Sequence, residues 1–119
     1  MKTIGKLRPR SAREIASSRI GIGFECLDRK MWDDTDDVYR LTSELGVKHA
    51  RVQTGWSVCE TTPGVYDFAW LDRIVDKLRE GGIQPWFNLG YGNMLHTEAK
   101  HPDAVGWAPI RSEKEQAAW

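Results

Sequence analysis

Two glutamates, one arginine and a group of amide and aromatic side chains carry the chemistry this sequence could do. Glu25 and Glu60 each follow a short stretch of strand-like alternation. They form the one carboxylate pair on offer from neighbouring strand ends, so in principle they could act as general acid and general base. A plainer reading gives Glu25 a hydroxyl to accept from, or Arg51 as a partner across a sheet, and makes Glu60 the anchor of the turn Thr61-Thr62-Pro63-Gly64. Trp56 follows the second alternating stretch and could stack on a sugar, whose C–H groups suit an aromatic face, or could pack its own loop. Gln53 and Asn88 are hydrogen-bonding groups at the ends of two such stretches, while Tyr91 and Asn93 lie just beyond, placed for contacts to hydroxyls.

Other constellations are weaker. His96, His101 and Asp103 could be imagined around a metal, but exposed loop histidines are the expectation, and His49 reads as a satisfied core residue. Cys26 and Cys59 lie far apart, with no companion ligands at metal spacing, and read as free thiols. Gly90-Tyr91-Gly92-Asn93 lacks the Lys-Ser/Thr of a phosphate loop and the third glycine of a dinucleotide turn. No metal and no cofactor is expected.

Charge and composition narrow the partners. Lys plus Arg and Asp plus Glu are 17 each, so no net field draws the chain to nucleic acid or to an anionic membrane. A neutral or small polar ligand fits better, and six Trp among 119 residues suit either sugar stacking or core packing. The basic start, Met1 to Arg10, has no apolar stretch of the kind that directs export, and no run approaches a membrane span. A cytoplasmic location is the expectation.

Three strands must position these groups. Ile20, Ile22 and Phe24 alternate with Gly21, Gly23 and Glu25, which predicts a first strand near 19–25. A second is expected over 47–54, with Ala50 and Val52 set against His49, Arg51 and Gln53, and a third over 83–89, where Gln84, Trp86 and Asn88 oppose Ile83, Pro85, Phe87 and Leu89. Between them the spacing predicts a helix from Asp34 or Thr35 to Gly46, with Val38, Leu41 and Leu45 on one face. A second helix, capped by Asp67, carries Leu71, Ile74, Val75 and Leu78 to its stop at Gly81-Gly82. Ser112-Glu113-Lys114-Glu115 marks the start of a third. Residues 1–17 read as a basic leader or an initial helix packed against the bottom of one incomplete domain, 18–119.

Strand and helix in alternation make an α/β chain with a parallel sheet. A doubly wound sheet would need strands apolar on both faces, whereas each strand here has one apolar and one polar face. That pattern fits the N-terminal portion, about three βα units, of a (β/α)₈ barrel with helices outside and the polar set facing the axis. A small two-layer domain with helices on one side and water on the other is the alternative. Parallel sheets seldom leave a face wet, and three strands would expose two edges able to self-associate.

The stretch Arg51-Val-Gln-Thr-Gly-Trp56-Ser-Val-Cys-Glu60-Thr-Thr-Pro-Gly64-Val-Tyr66-Asp-Phe68-Ala-Trp70-Leu-Asp72 resembles the second βα unit of the retaining β-glycosidases built on (β/α)₈ barrels. It looks most like the β-xylosidase and α-iduronidase family, with β-galactosidase relatives close behind. Gly82 to Asn93 is similar to the third strand and following loop of such enzymes. The resemblance implies a two-step retaining mechanism on O-glycosidic bonds of β-linked or related glycosides, in which Arg51 steadies the nucleophile carboxylate. Both catalytic glutamates of that pattern would fall beyond Trp119, and no Asn-Glu dipeptide occurs in the chain. Two carboxyl groups about 5 to 5.5 Å apart are needed for retention, so this chain alone is expected to be inactive. The expected carbohydrate contacts are Glu25, Arg51, Gln53, Trp56, Asn88, Tyr91 and Asn93. The alternative is a non-catalytic barrel piece that binds carbohydrate or assembles with copies of itself.

Overall fold

The computed structural model describes residues 4–6, 8–24, 36–90, 92–97 and 110–118. Glu25, Cys26, Trp32, Asp34, Thr35, Tyr91, His101, Asp103 and Trp119 therefore lie outside the described residues. Among those described, strands β1 (Gly21–Phe24), β2 (His49–Gln53) and β3 (Gln84–Asn88) alternate with helices α1 (Asp36–Glu44), α2 (Trp56–Cys59), α3 (Ala69–Glu80) and α4 (Glu113–Ala118). The strands form one parallel sheet in the order β1-β2-β3. β2 and β3 are three and two residues shorter than the alternation predicts, because the parallel ladder ends where the chain turns into its loops, and β1 starts two residues later than expected. The one-turn α2 stands where the sequence suggests only loop.

Register aligns Gly21, His49 and Gln84 in one row and Gly23, Arg51 and Trp86 in the next, with Gln53 opposite Asn88 beyond them. All these side chains share one face, as period-two alternation requires. The other face presents Phe24, Ala50 and Val52 to a core completed by Tyr39 of α1, Leu71, Ile74 and Leu78 of α3, Ile83 and Ala12. Ala50, Val52 and Leu78 are fully buried, and Ile83 nearly so. Each large aliphatic side chain so buried contributes about 1.5–3 kcal/mol.

α3 forms as its spacing predicts: the buried positions fall three and four apart. The Asp67 carboxylate accepts from the amide N–H of Ala69 at 2.9 Å at its start. Its far end is closed by Gly81 and by Gly82, the latter at φ 77°. α1 departs from expectation, for it buries Tyr39, Thr42 and Ser43, whereas Leu41 and Leu45 are 50 % and 71 % exposed. The reason is the segment that docks on it. Ser43 accepts the Ala12 N–H on its carbonyl at 2.8 Å, and its hydroxyl donates to the Gly81 carbonyl at 2.6 Å. A small hydroxyl there lets two chains approach the helix where a leucine would hold them off.

That docked segment is the N-terminal arm, which makes a turn at Ala12–Glu14 and has no helix among its described residues. It satisfies carbonyls that helix ends leave orphaned. Arg13 Nε donates to the Glu80 carbonyl at 2.6 Å, and Lys48 Nζ bridges the carbonyls of Ala12 and Gly82 at 2.7 and 2.8 Å. At α4 the expected start is a reciprocal cap. Glu115 N–H donates to Ser112 Oγ at 3.1 Å, and Glu115 Oε2 accepts from the N–H groups of Ser112 and Arg111 at 2.7 and 2.8 Å.

Candidate functional site

The polar face of the sheet runs toward the C-terminal ends of the strands, the end at which open and closed parallel sheets hold their ligands. Arg51 is half-buried at its centre, flanked in register by Gly23, which has no side chain to crowd it, and by Trp86, which is 52 % exposed. One step further along, Gln53 is buried and Asn88 half-buried. Thr54 N–H donates to the Asn88 carbonyl at 3.3 Å and so keeps the ends of β2 and β3 together.

Above these ends the loops are built around one carboxylate. Glu60 is only 1 % exposed. Its Oε2 accepts from Trp56 Nε1 at 2.6 Å, and its Oε1 accepts from the Gly64 N–H at 2.7 Å and lies 2.9 Å from His96 Nε2. The local chain makes this possible: Trp56 sits one helical turn before Glu60 in α2, and Pro63-Gly64 turns the chain back, closed by Val65 N–H donating to the Thr62 carbonyl at 3.0 Å. The Gly64 N–H, with the His96 and Trp56 contacts, outweighs the burial that acts the other way and holds the Glu60 carboxyl below the usual carboxylate range. A carboxylate kept ionised with both oxygens occupied is a structural anchor. It is unsuited to donating a proton, which tells against Glu60 as the acid of a Glu25–Glu60 pair.

The segment after β3 is fastened to the same place. Asn93, 2 % exposed, donates through Nδ2 to the main-chain carbonyl of Glu60 at 2.7 Å and approaches that of Trp56 at 3.5 Å. Its own carbonyl accepts from the N–H groups of His96 and Thr97 and from Thr97 Oγ1, which folds 93–97 into a tight turn. The His96 ring then lies parallel to the Trp56 indole, with centroids 5.2 Å apart and 5° between planes. Its side chain is only 12 % exposed, so the expectation of a solvent-exposed loop histidine is corrected: the turn at Asn93 carries the ring inward against Glu60. No local signal in the sequence pairs His96 with Glu60, which lies 36 residues earlier. Trp56 itself is 7 % exposed, in its loop-packing arrangement.

Among the described residues the remaining groups add no second centre. Cys59 is buried and donates from Sγ to the Thr54 carbonyl at 3.1 Å, and burial pushes its thiol up, away from the reactive thiolate. Among the described residues no cluster of His, Cys, Asp or Glu could hold a metal ion, and no helix is long and apolar enough to cross a membrane. Ser11, Arg13, Tyr39, Arg40, Lys77 and Glu80 help line a 410 Å³ cleft on the helix side, remote from the strand ends.

Comparison with known proteins agrees with this geometry. A glycoside-hydrolase 42 family model, described as beta-galactosidase, matches residues 24–104. The beta-galactosidase BgaA of Clostridium cellulovorans is 30 % identical over 95 residues, 73 % of this chain and 13 % of that protein. The beta-galactosidase BbgII of Bifidobacterium bifidum is 44 % identical over 55 residues, 45 % of this chain and 8 % of that protein. Among solved structures, the beta-galactosidase of the psychrophilic Marinomonas ef1 shares the fold, with a TM-score of 0.51 and 23 % identity over 70 % of this chain and 12 % of that one. The chain thus spans about an eighth or less of the proteins it resembles. These relatives fall on the β-galactosidase side of the two groups that the sequence brings to mind.

Proposed function

The chain belongs to the glycoside hydrolase family described as beta-galactosidase, and from that premise we propose that it forms the first three strands of a (β/α)₈ barrel that hydrolyses β-galactosides with retention. The observation that carries the reading is the polar face with Arg51, Gln53 and Asn88, which runs to the strand ends of a sheet that, among the described residues, α1 and α3 cover on its other side. Hydroxyl-rich ligands are recognised by such planar amide and guanidinium donors set beside an aromatic face, here Trp86. Arg51 is the cation for a carboxylate supplied by a later strand, while Gln53 and Asn88 contact sugar hydroxyls, joined by Glu25 and Tyr91. Trp56 and Asn93 support the site through the loops they hold.

Retention requires two carboxyl groups on either side of the sugar. Within this chain Glu60 is committed to its loop, so the pair would come from strands beyond β3. The test uses the protein in which residues 1–119 continue into the following strands. Hydrolysis of an aryl β-galactoside faster than the matching β-xyloside, with a retained anomer as first product and at least a hundredfold loss on Arg51→Ala, is the expected result. Preference for the xyloside would move the substrate to the other group, and an inverted product would overturn the mechanism.

A further inference from the structure

We propose that His96 is a positioning residue whose imidazole, stacked on Trp56 and bonded to the buried Glu60, fastens the segment after β3 to the segment after β2 and fixes the distance between them. The inference rests on the sugar-site reading only for its consequence, since the fastening itself is independent of any ligand.

Among the described residues two side chains of the later segment, Asn93 and His96, hold it to the earlier one. Asn93 makes the first attachment through its side-chain amide to a main-chain carbonyl, and His96 makes the second, three residues on, through Nε2 to a carboxylate oxygen. One attachment leaves a segment free to pivot, and two attachments remove the pivot. The second is also the stronger in kind, because a hydrogen bond to a charged and desolvated acceptor outweighs one between neutral groups. Glu60 Oε1 already takes the Gly64 N–H, so one oxygen ties the Pro63-Gly64 turn and the 93–97 turn together. Among the described residues Glu60 is the charged group that His96 meets, and Trp56 is the ring that covers it.

The location makes this more than loop packing. Glu60 follows Gln53 by seven residues and His96 follows Asn88 by eight, so the bridge joins the chains that leave the C-terminal ends of β2 and β3. A change in the bridge therefore reaches Asn88 and the chain leading from it.

Two variants separate the components. His96→Phe keeps the ring on Trp56 and loses the bond, whereas His96→Gln loses the ring and keeps a donor able to reach Glu60. Amide hydrogen exchange over 93–97 and the indole N–H resonance of Trp56, identified by its loss in Trp56→Phe, are followed in the whole 119-residue chain. In His96→Phe, exchange over 93–97 is expected to rise about tenfold or more, as loss of one charge-assisted hydrogen bond implies. The Asn88 amide resonance is expected to shift with it, and His96→Gln to restore most of the protection. Equal exchange in the parent and His96→Phe, or an Asn88 resonance that stays fixed while exchange rises, would overturn the proposal. Neither readout uses a sugar, so failure of the galactoside reading leaves this test intact.

Discussion

The side-chain amide of Asn93 reaches across 33 residues of sequence to donate to the main-chain carbonyl of Glu60 at 2.7 Å. Both groups are buried, so the bond has no water to replace it. Asn93→Ala removes this donor and the Oδ1 that accepts from Leu95 N–H at 3.0 Å. The expected loss is about 1–3 kcal/mol, read from the urea midpoint at constant m-value. Asn93→Asp should be no better, because it keeps the acceptor but sets a carboxylate oxygen against the Glu60 carbonyl. A variant as stable as the parent would mean that the loop relaxes around the lost bond.

Glu60 makes stability depend on pH in a fixed direction. Its folded carboxyl titrates below the ordinary carboxylate range, chiefly because the Gly64 N–H donates to it, with His96 and Trp56 assisting. A depressed acid stabilises the folded state wherever the pH lies above its unfolded value, near 4.3. That contribution declines as pH falls below about 4.3 and is gone once pH passes the folded value. Glu60→Gln should flatten this acid limb and lower stability at pH 7, since its amide NH₂ must face one of three donors. Thermal unfolding of both forms between pH 3 and 7 checks it. An acid limb of unchanged slope in Glu60→Gln would assign the effect to other carboxylates.

The sheet and α3 were legible because each has a strict period that one buried face enforces: Ala50 and Val52 against Arg51 and Gln53, and Leu71, Ile74 and Leu78 at helical spacing. The face of α1 was not. Leu41 and Leu45 look like its core positions, but what decides the matter is the arm at Ala12, whose contact with Ser43 leaves no trace in local periodicity. Glu60 was readable as a turn anchor from the Pro63-Gly64 that follows it. His96 was not, because its partner lies 36 residues earlier, and only folding of the turn at Asn93 brings the two together.

The arm should be a structural requirement. Gly82 sits at φ 77°, and a Cβ there would stand 2.8 Å from the Arg13 nitrogen and 2.9 Å from its Cα. Gly82→Ala must therefore both strain the turn and push the arm away. A destabilisation of about 1–3 kcal/mol is expected, more than a left-handed turn in open space would give. Lys48→Met, which loses the bridge between the carbonyls of Ala12 and Gly82, should release the same segment. Limited proteolysis within 8–20 measures that release directly. Cleavage rates equal to the parent in both variants would show the arm held by other contacts.

Exposure of the edge strands predicts how the isolated chain behaves. On the helix-facing side Ala50 and Val52 of the central strand are fully buried, yet Ile22 of β1 and Phe87 of β3, in the same rows, are 42 % and 46 % exposed. The cover given by α1 and α3 reaches Phe24 of β1, whose ring lies 5.4 Å from that of Tyr39, but leaves Ile22 and Phe87 exposed. Among the described residues β1 and β3 each pair with β2 alone, so apolar side chains and unpaired main-chain groups coincide at both margins. Natural sheets avoid that combination because it templates pairing with another chain. The chain by itself should associate in a concentration-dependent way by light scattering, and Ile22→Lys with Phe87→Lys should reduce that association without loss of helix content. Association through the margins would respond to both substitutions, whereas association through the polar face would respond to Trp86→Ser instead. A monodisperse monomer at high concentration would count against open edges and favour a self-contained two-layer domain.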